Sequence, residues 1–314
     1  MAAHGQAWRL VAMLAVVGAG TGAREAIAQE EGQTLEAPAA PAEQPASADQ
    51  ETAELAKATQ NPVANLISVP LQYNIDFGLG AFNRTRHTLN IQPILPVSLT
   101  KKWNLINRII LPVLYLPTVT EPNGGTFGLG DTTATFFIAP AHPGDLIWGA
   151  GPALLLPTAT SETLGTGKWG LGPSVVLLIQ PGPWTIGVLA NNIWSVTGSS
   201  ERPSVNQFLL QYFINYNLAQ GWYVTSAPII TANWKAPSGE QWVVPFGVGL
   251  GKIFKIGKQA MNGSVSTFYN GVRPDTQPAP DWQVRLELAF LFPKGKSQGQ
   301  GKGAQAAPPA EQPQ

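Results

Sequence analysis

The chain has 314 residues, of which 44% are apolar and only 12% are charged, and its formal net charge is zero. Zero net charge argues against a nucleic-acid partner, which requires a basic surface, and the lack of cysteine excludes disulfides and thiolate zinc sites. Few charges, together with 33 glycines and 10 tryptophans, favour a structure whose outer wall contacts lipid rather than water.

The first 28 residues have the pattern of a secretory signal. Arg9 supplies a positive charge, residues 10–19 form a short apolar run, and Ala26-Ile27-Ala28 fits the small-x-small cleavage pattern. The alternative is a short membrane anchor, but a spanning helix takes about 20 apolar residues and no stretch of the chain is that long. We therefore expect an exported chain, cleaved after Ala28, that is either soluble or a β-barrel.

Two low-complexity segments flank a denser region. Residues 29–60 are rich in Ala, Glu, Gln and Pro, which predicts a disordered periplasmic linker with about two helical turns at 51–57. Residues 295–314 have a similar composition and predict a disordered tail. The folded domain is therefore expected at residues 61–294.

Within that domain, apolar and polar side chains alternate with the period of a β-strand. The clearest segment is 282–292, where the even-numbered residues are apolar while Arg285 and Glu287 lie on the other face. Segments of about the ten residues that a tilted membrane strand needs fall at 65–79, 87–99, 103–116, 131–140, 146–157, 169–180, 184–195, 205–218, 221–234, 242–254, 259–271 and 281–292. The pattern predicts an all-β fold, a closed antiparallel transmembrane β-barrel of about 12 strands.

The connections between these segments alternate between tight turns, such as 101–102 and 181–183, and longer links, such as 117–130 and 159–168. This alternation is typical of outer-membrane barrels, with short periplasmic turns and longer outer loops. An even number of strands places both termini on the periplasmic side. Aromatic residues at strand ends predict interfacial girdles: Trp103, Tyr115, Trp148, Trp169, Trp184, Trp194, Trp222, Trp234, Trp242 and Trp282.

Six prolines lie inside predicted strands: Pro93, Pro112, Pro152, Pro173, Pro228 and Pro245. Proline has no backbone N–H, so each leaves a neighbouring carbonyl without its partner in the sheet. We expect these prolines at bulges or kinks whose freed carbonyls face the lumen. The alternative is that some strands are shorter than drawn.

Long stretches of the chain carry distinctive motifs: LAKATQNPVANLISVPLQYN (55–74), TLNIQPILPVSLTKKWNLINRIILPVLY (88–115), GLGDTTATFFIAP (128–140), LIWGAGPALLLPTATSETLGTGKWGLGP (146–173), GPWTIGVLANNIWS (182–195) and DWQVRLELAFLFPK (281–294). They resemble a family of bacterial outer-membrane transporter-like barrels, linked to MetA-type proteins of phenol meta-cleavage pathways and often mislabelled neuromedin U. The resemblance covers roughly residues 54–294. It implies an outer-membrane location and uptake of hydrophobic or aromatic compounds. Because the chain continues past the closing strand, the barrel assembly machinery is expected to recognise Phe290 and Phe292 internally.

Polar side chains on the inward face are the candidates for solute selectivity. Arg285 and Glu287 share a face, and Asp76 and Arg108 are expected to join them, because charges that face lipid are costly. The inward faces of the first two strands add Gln72, Asn74, Asn90 and Gln92. Two interpretations stay open: a constriction that filters solutes by charge and size, and an ion-pair network that holds the wall rigid.

Three cationic side chains are candidates at the outer loops: Arg84, Arg86 and Lys168. Arg84 and Arg86, next to His87, either touch anionic lipopolysaccharide or form a solvated loop end. Lys168 lies in a sequence that approaches a phosphate loop but lacks its first glycine and its final Ser/Thr, which favours an ordinary outer loop.

An outer-membrane lipase is the main rival class and would need a serine, a histidine and an orienting group. Only His87 and His142 remain after signal cleavage, and neither lies in a recognisable motif, so we predict no catalytic residue, no cofactor and no metal site. A structural or adhesive barrel is the third class, but longer loops would be expected of it. The predicted function is passive or gated passage of small, hydrophobic or aromatic molecules, with outer-membrane lipid, lipopolysaccharide, solute and the assembly machinery as partners.

Overall fold

The computed structural model describes residues 48–276 and 278–293. The predicted signal peptide, most of the predicted linker and the predicted tail at 295–314 lie outside these residues. The described chain begins with helix α1 (Ala48–Thr59), which is longer than the two turns expected from the sequence. No helix in the described part of the chain is long and apolar enough to cross a membrane.

Fifteen strand segments follow α1 and pair into one antiparallel sheet. They are β1 (Ile67–Leu79), β2 (Arg84–Ile91), β3 (Ile94–Ser98), β4 (Trp103–Pro117), β5 (Gly125–Leu129), β6 (Thr132–Pro140), β7 (Leu146–Leu156), β8 (Lys168–Ile179), β9 (Trp184–Gly198), β10 (Asn206–Asn217), β11 (Trp222–Ser226), β12 (Ile229–Asn233), β13 (Trp242–Ile256), β14 (Gln259–Val272) and β15 (Trp282–Phe292). The sheet closes on itself because β1 pairs with β15 along its length, from Ile67 opposite Phe292 to Phe77 opposite Trp282.

Three strands of the barrel wall are each interrupted once. The pairs β2 and β3, β5 and β6, and β11 and β12 each continue one wall strand across a two-residue break. Each pair shares a neighbour, since β4 pairs with both members of the first two and β10 with both members of the third. Counted in this way the wall has 12 strands, which confirms the predicted closed antiparallel barrel.

The alternation of side chains is also confirmed. In β15, Trp282, Leu286 and Leu288 are exposed on the outer wall, while Arg285 is buried inside. In β1, Phe77 is exposed and Asp76 is buried. The outer wall is therefore apolar through its middle, as a wall in contact with acyl chains must be.

The aromatic residues form two bands on the outer wall. Near the tight connections, which we call the turn end, Trp103 packs against Trp148 with ring centroids 5.8 Å apart, and Trp184 packs against Tyr216 at 4.7 Å. Near the longer connections, which we call the loop end, Trp234 and Trp242 are 5.3 Å apart. Two such bands are the arrangement expected at the two boundaries of a bilayer.

The connections follow the predicted alternation. The turn-end connections are residues 99–102, 141–145, 180–183, 218–221 and 257–258, and most of the loop-end connections are longer, up to residues 157–167. The exception is the short loop-end connection at 80–83. Helix α1 and the last residue of β15 both lie at the turn end.

The expectation of bulges or kinks holds for three of the in-strand prolines. Pro93 lies in the break between β2 and β3, Pro228 lies in the break between β11 and β12, and Pro245 lies at a shift of register between β13 and β14. Because proline cannot donate to the ladder, a break or a bulge is where a strand accommodates it best.

The expectation is wrong for two others. Pro152 and Pro173 face each other across β7 and β8 within a regular register. Each of these two prolines lacks an N–H for the next strand. The pairing of β6 with β7 and of β8 with β9 has a gap at this height, without a shift of register. Pro112 also lies in a continuous strand, and its carbonyl accepts a hydrogen bond from Gly130 at 2.9 Å, next to the break between β5 and β6.

Candidate functional site: the barrel lumen

The lumen contains three cavities in a row. A cavity of about 560 Å³ lies at the loop end, one of about 200 Å³ lies in the middle, and one of about 180 Å³ lies towards the turn end. Neighbouring cavities share lining residues: Gln72 lines all three, Arg108 lines the middle and turn-end cavities, and Asn90 lines the middle and loop-end cavities. The row therefore follows the barrel axis.

The sequence-predicted lumen residues all line these cavities. Gln72, Asn74, Asp76 and Asn90 line the loop-end cavity, and Gln92, Arg108, Arg285 and Glu287 line the turn-end cavity. The structure thus brings the eight candidates together inside the barrel, although their role in selectivity is still a prediction.

Arg285 is held by groups from several strands. Its Nε donates to Asn74 at 3.1 Å, one Nη donates to Gln283 at 3.0 Å, and the other donates to the carbonyl of Ala227 at 2.9 Å. Its guanidinium carbon also lies 4.6 Å from the ring centroid of Phe268. Arg285 therefore links β15 to β1, to β14 and to the break between β11 and β12, which favours the bracing interpretation for this residue.

The carbonyl that Arg285 contacts is available because of a proline. Ala227 immediately precedes Pro228, in the break where neither residue belongs to a strand. Its carbonyl also accepts a weaker hydrogen bond from Gln211 at 3.4 Å. At this break the carbonyl of Ala227 faces the lumen; it belongs to the same peptide unit as the proline nitrogen and is distinct from the neighbouring-strand carbonyl that the missing N–H would free.

Asp76 is a second brace, nearer the loop end. It is 2% exposed and accepts hydrogen bonds from Arg86 Nε at 2.8 Å and from Gln283 at 2.7 Å. The expected loop position of Arg86 is therefore wrong, because Arg86 lies in β2 and pairs with Asp76 inside the barrel.

Arg108 differs from these two braces because it is only partly engaged. One Nη donates to Gln92 Oε1 at 2.9 Å, while Nε is the one buried side-chain nitrogen or oxygen in the described residues that lacks a hydrogen-bond partner. Glu287 lies close enough to Arg108 and Arg285 for electrostatic attraction. Among the described residues, however, Glu287 forms no ion pair within 4.0 Å, and its contact with Asn262 is long at 3.5 Å.

The opposite part of the lumen wall contains an apolar cluster. Phe137, Val176, Leu189 and Phe213, from strands β6 to β10, form a buried cluster inside the barrel. Sequence interpretation missed this wall, because an apolar residue that faces inward looks the same in the chain as one that faces lipid. The available signal was the pair Leu209 and Phe213, which interrupts the polar face of β10.

The turn end of the lumen is covered by α1 and the residues that follow it. Gln60 and Asn217 exchange amide hydrogen bonds at 2.8 and 3.2 Å. Lys57 Nζ donates to the carbonyl of Gln180 at 3.3 Å, and the side chain of Gln180 donates to the carbonyl of Lys57 at 2.9 Å. The first contact ties the residue after α1 to the end of β10, and the second ties α1 to the connection at 180–183.

Apolar contacts reinforce this cover. Val63 packs into the cluster of Phe137 and Val176, and Ala56 and Leu66 pack against Leu291 and its neighbours. We call residues 48–66 the plug. The part of the predicted linker that the structure describes is therefore a packed element of the barrel mouth rather than a free chain.

The remaining cationic candidates hold loops. Arg84, the first residue of β2, donates to the carbonyls of Glu121 and Gly124. Lys168, the first residue of β8, donates to the carbonyl of Ser199. A strand rather than a helix follows the glycines before Lys168, so the segment lacks the structural context of a phosphate loop.

The two histidines in the described part of the chain, His87 and His142, are not arranged as in a hydrolase. His87 Nδ1 lies 2.8 Å from the hydroxyl of Tyr73, and its ring contacts those of Tyr73 and Tyr115. His142 is exposed in a turn-end connection. Within residues 48–276 and 278–293, no group of three His, Asp or Glu side chains is placed to hold a metal ion.

No protein-family model and no curated protein matches the sequence. Among solved structures, the COG4313 outer membrane channel from Pseudomonas putida F1 is similar, with a TM-score of 0.58 and 16% identity over 73% of this chain and 96% of that chain. The NanC porin (TM-score 0.45, 12% identity, 71% and 98% covered) and an outer membrane phospholipase from Salmonella typhi (0.41, 10%, 79% and 99%) overlap too weakly to support an argument. The first similarity shows a shared barrel fold, and the narrower MetA-type resemblance stays a prediction.

Proposed function

We propose that this protein is an outer-membrane barrel that lets small molecules pass along its lumen, and that the plug gates this path at the turn end. The row of cavities inside an apolar-walled barrel carries the proposal. The similar solved structure is itself an outer membrane channel, which supports the location and the function. Both described termini lie at the turn end, which supports a periplasmic orientation for that end.

The dimensions of the path favour small solutes. Barrels of eight strands have interiors filled by side chains, and barrels of sixteen or more leave an open aqueous channel. The middle and turn-end cavities, of about 200 and 180 Å³, fit an intermediate barrel with a narrow path. The apolar wall of Phe137, Leu189 and Phe213 favours solutes with a hydrophobic part, including aromatic ones.

The plug favours a gated path over a permanently open one. Its polar contacts with the barrel are hydrogen bonds that involve side chains, and each such bond contributes only about 1 kcal/mol net. Within the described residues its one ion pair, Lys255 with Glu51 at 3.4 Å, is exposed on both sides and adds little. Together with the few buried apolar side chains of the plug, Ala56, Val63 and Leu66, these contacts form a cover that can leave and return without unfolding the barrel.

Two further partners are part of the proposal. The barrel assembly machinery would read the aromatic end of β15, where Phe292 is exposed on the outer wall. For lipopolysaccharide the structure offers less support, because Arg84 already donates to two loop carbonyls. Loss of surface binding to lipopolysaccharide in Arg84→Gln would support such a contact.

A reversible lock on the plug tests the proposed function. Because the chain has no cysteine, Gln60→Cys with Asn217→Cys introduces a single pair of thiols where the amides now meet. A short bifunctional methanethiosulfonate should lower ion conductance in planar bilayers and solute uptake in liposomes, and dithiothreitol should restore both. The two single-cysteine variants, treated identically, are the controls. A purified, folded barrel that neither conducts ions nor admits sugars, amino acids or aromatic acids in any state would overturn the proposal.

A further inference from the structure

We propose that the middle of the lumen is a binding site for small organic anions with an apolar body, such as aromatic carboxylates, and that Arg108 binds the anionic group. The inference rests on the proposed function and deepens it, because it names the class of solute. It follows from an incompletely paired cation and a group of apolar side chains that meet in one cavity, where no other charged side chain of the described residues lies.

Arg108 has an edge ready for an anion. A guanidinium binds a carboxylate through two parallel hydrogen bonds from one edge. Within the described residues, Arg108 forms one side-chain hydrogen bond, from one Nη to Gln92, and its buried Nε forms none. A buried donor without a partner costs free energy, and a carboxylate oxygen would remove that cost. Arg285 cannot take this role, because each of its three nitrogens already donates to a protein oxygen.

The balance of charge around Arg108 favours an anion. Asp76 and Arg86 form an ion pair and cancel each other. Arg108 is the one charged side chain among the described residues that line the middle cavity, whereas Glu287 lines the turn-end cavity and Glu240 lines the loop-end cavity. Glu287 attracts both arginines without contacting either as an ion pair, so it does not occupy the open edge of Arg108.

The rest of the solute is selected by the wall that faces this cation. The middle cavity is lined by Arg108, Gln72 and Gln92 from the first strands and by the apolar Phe137, Leu155, Leu189 and Leu209, with Asn191, Gln207 and Gln211 beside the last two. An aromatic ring placed against the apolar side chains buries apolar surface, whereas a hydroxyl group placed there would lose a hydrogen bond to water. An aromatic ring with one carboxylate satisfies both sets of side chains, and its size suits a cavity of about 200 Å³.

Current block in planar bilayers tests the site with benzoate as the probe. Benzyl alcohol has the ring without the charge, and acetate has the charge without the ring. We expect benzoate to block the open channel at a concentration at least about tenfold below that of either analogue, as the loss of a charged hydrogen bond would predict. Arg108→Gln should raise the half-blocking concentration of benzoate about tenfold or more, and Arg108→Lys should give an intermediate value.

Lys102→Gln is the matched control, since it removes one positive charge from an exposed turn outside the lumen and should leave the block unchanged. Heat-modifiable migration on gels checks that each variant is folded. Equal block by benzoate and benzyl alcohol, or full benzoate block in Arg108→Gln, would overturn the inference while leaving a conducting channel intact. If no variant conducts, the proposed function fails. Equilibrium dialysis of benzoate against detergent-solubilised protein then tests the binding site by itself. Loss of benzoate binding in Arg108→Gln is the expected result, and unchanged binding would overturn the inference.

Discussion

Shortening Val63 should loosen the plug by an amount that the structure allows us to work out. Val63 is 6% exposed in the apolar cluster inside the barrel, and it returns to water when the plug leaves. Val63→Ala removes two buried methyl groups, each contributing about 0.8 kcal/mol, so the docked state should lose about 1.6 kcal/mol. A change of that size shifts the ratio of undocked to docked plug somewhat more than tenfold.

Single-channel recording measures this ratio as the open probability. The control is Val248→Ala, because Val248 is 61% exposed on the outer wall and touches no part of the plug. The barrel side of the same contact gives a second test: a Cβ at Gly149 would lie 2.8 Å from a methyl of Val63. Gly149→Ala alone should therefore raise the open probability, and adding Val63→Ala should relieve that crowding. Open probabilities that are identical in wild type, Val63→Ala and Gly149→Ala would refute the gating role of the plug.

Three further outcomes follow from other contacts. Gly172→Ala would make a Cβ clash with the carbonyl oxygen of Asn192, so we expect a loss of about 1–3 kcal/mol in the free energy of unfolding from urea titration. Gly144→Ala, with no atom within 4 Å of the added Cβ, should be neutral. Asp76→Ala leaves Arg86 unpaired inside the barrel and should lower the free energy of unfolding by about 3 kcal/mol in the same titration. Glu51→Ala, which removes an exposed ion pair, should lower it by less than about 1 kcal/mol. Hydrogen bonds from the backbone and the hydroxyl of Thr276 lower the pKa of Glu240. The contact between the two loops is therefore present above the ordinary carboxyl pKa and is lost as pH falls through the lowered value. Amide exchange at residues 273–276 should rise on acidification in wild type and not in Glu240→Gln.

Local alternation was sufficient to predict the barrel and the inward direction of its polar residues. The side chains of a strand alternate strictly, so the identity of the outer face of β15 fixes the direction of Arg285 and Glu287 without any knowledge of their neighbours. The same rule placed Gln72, Asn74 and Asp76 inside. The number of strands followed from the length that a tilted membrane strand needs.

The apolar part of the lumen and the plug depend on closure of the barrel, which no local pattern reports. Phe213 becomes a lumen residue next to Phe137 and Val176 only when strands distant in sequence are brought together. Gln60 and Asn217 are 157 residues apart in the chain, and neither has a distinctive local context. An amphipathic helix before a barrel has the same composition whether it is docked or free.

The prolines that weaken the predicted strands help to explain why the two lumen arginines differ. Pro228 interrupts its strand and leaves the carbonyl of Ala227 facing inward, and Arg285 uses that carbonyl to complete its hydrogen bonds. Nε of Arg108 finds no such carbonyl. At the break between β2 and β3, the carbonyl of Pro93 already accepts a hydrogen bond from the backbone of Ile109. In the proposed site, one arginine holds the wall and the other keeps a donor for a solute. On that proposal the two interpretations of the lumen charges, brace and filter, apply to different residues.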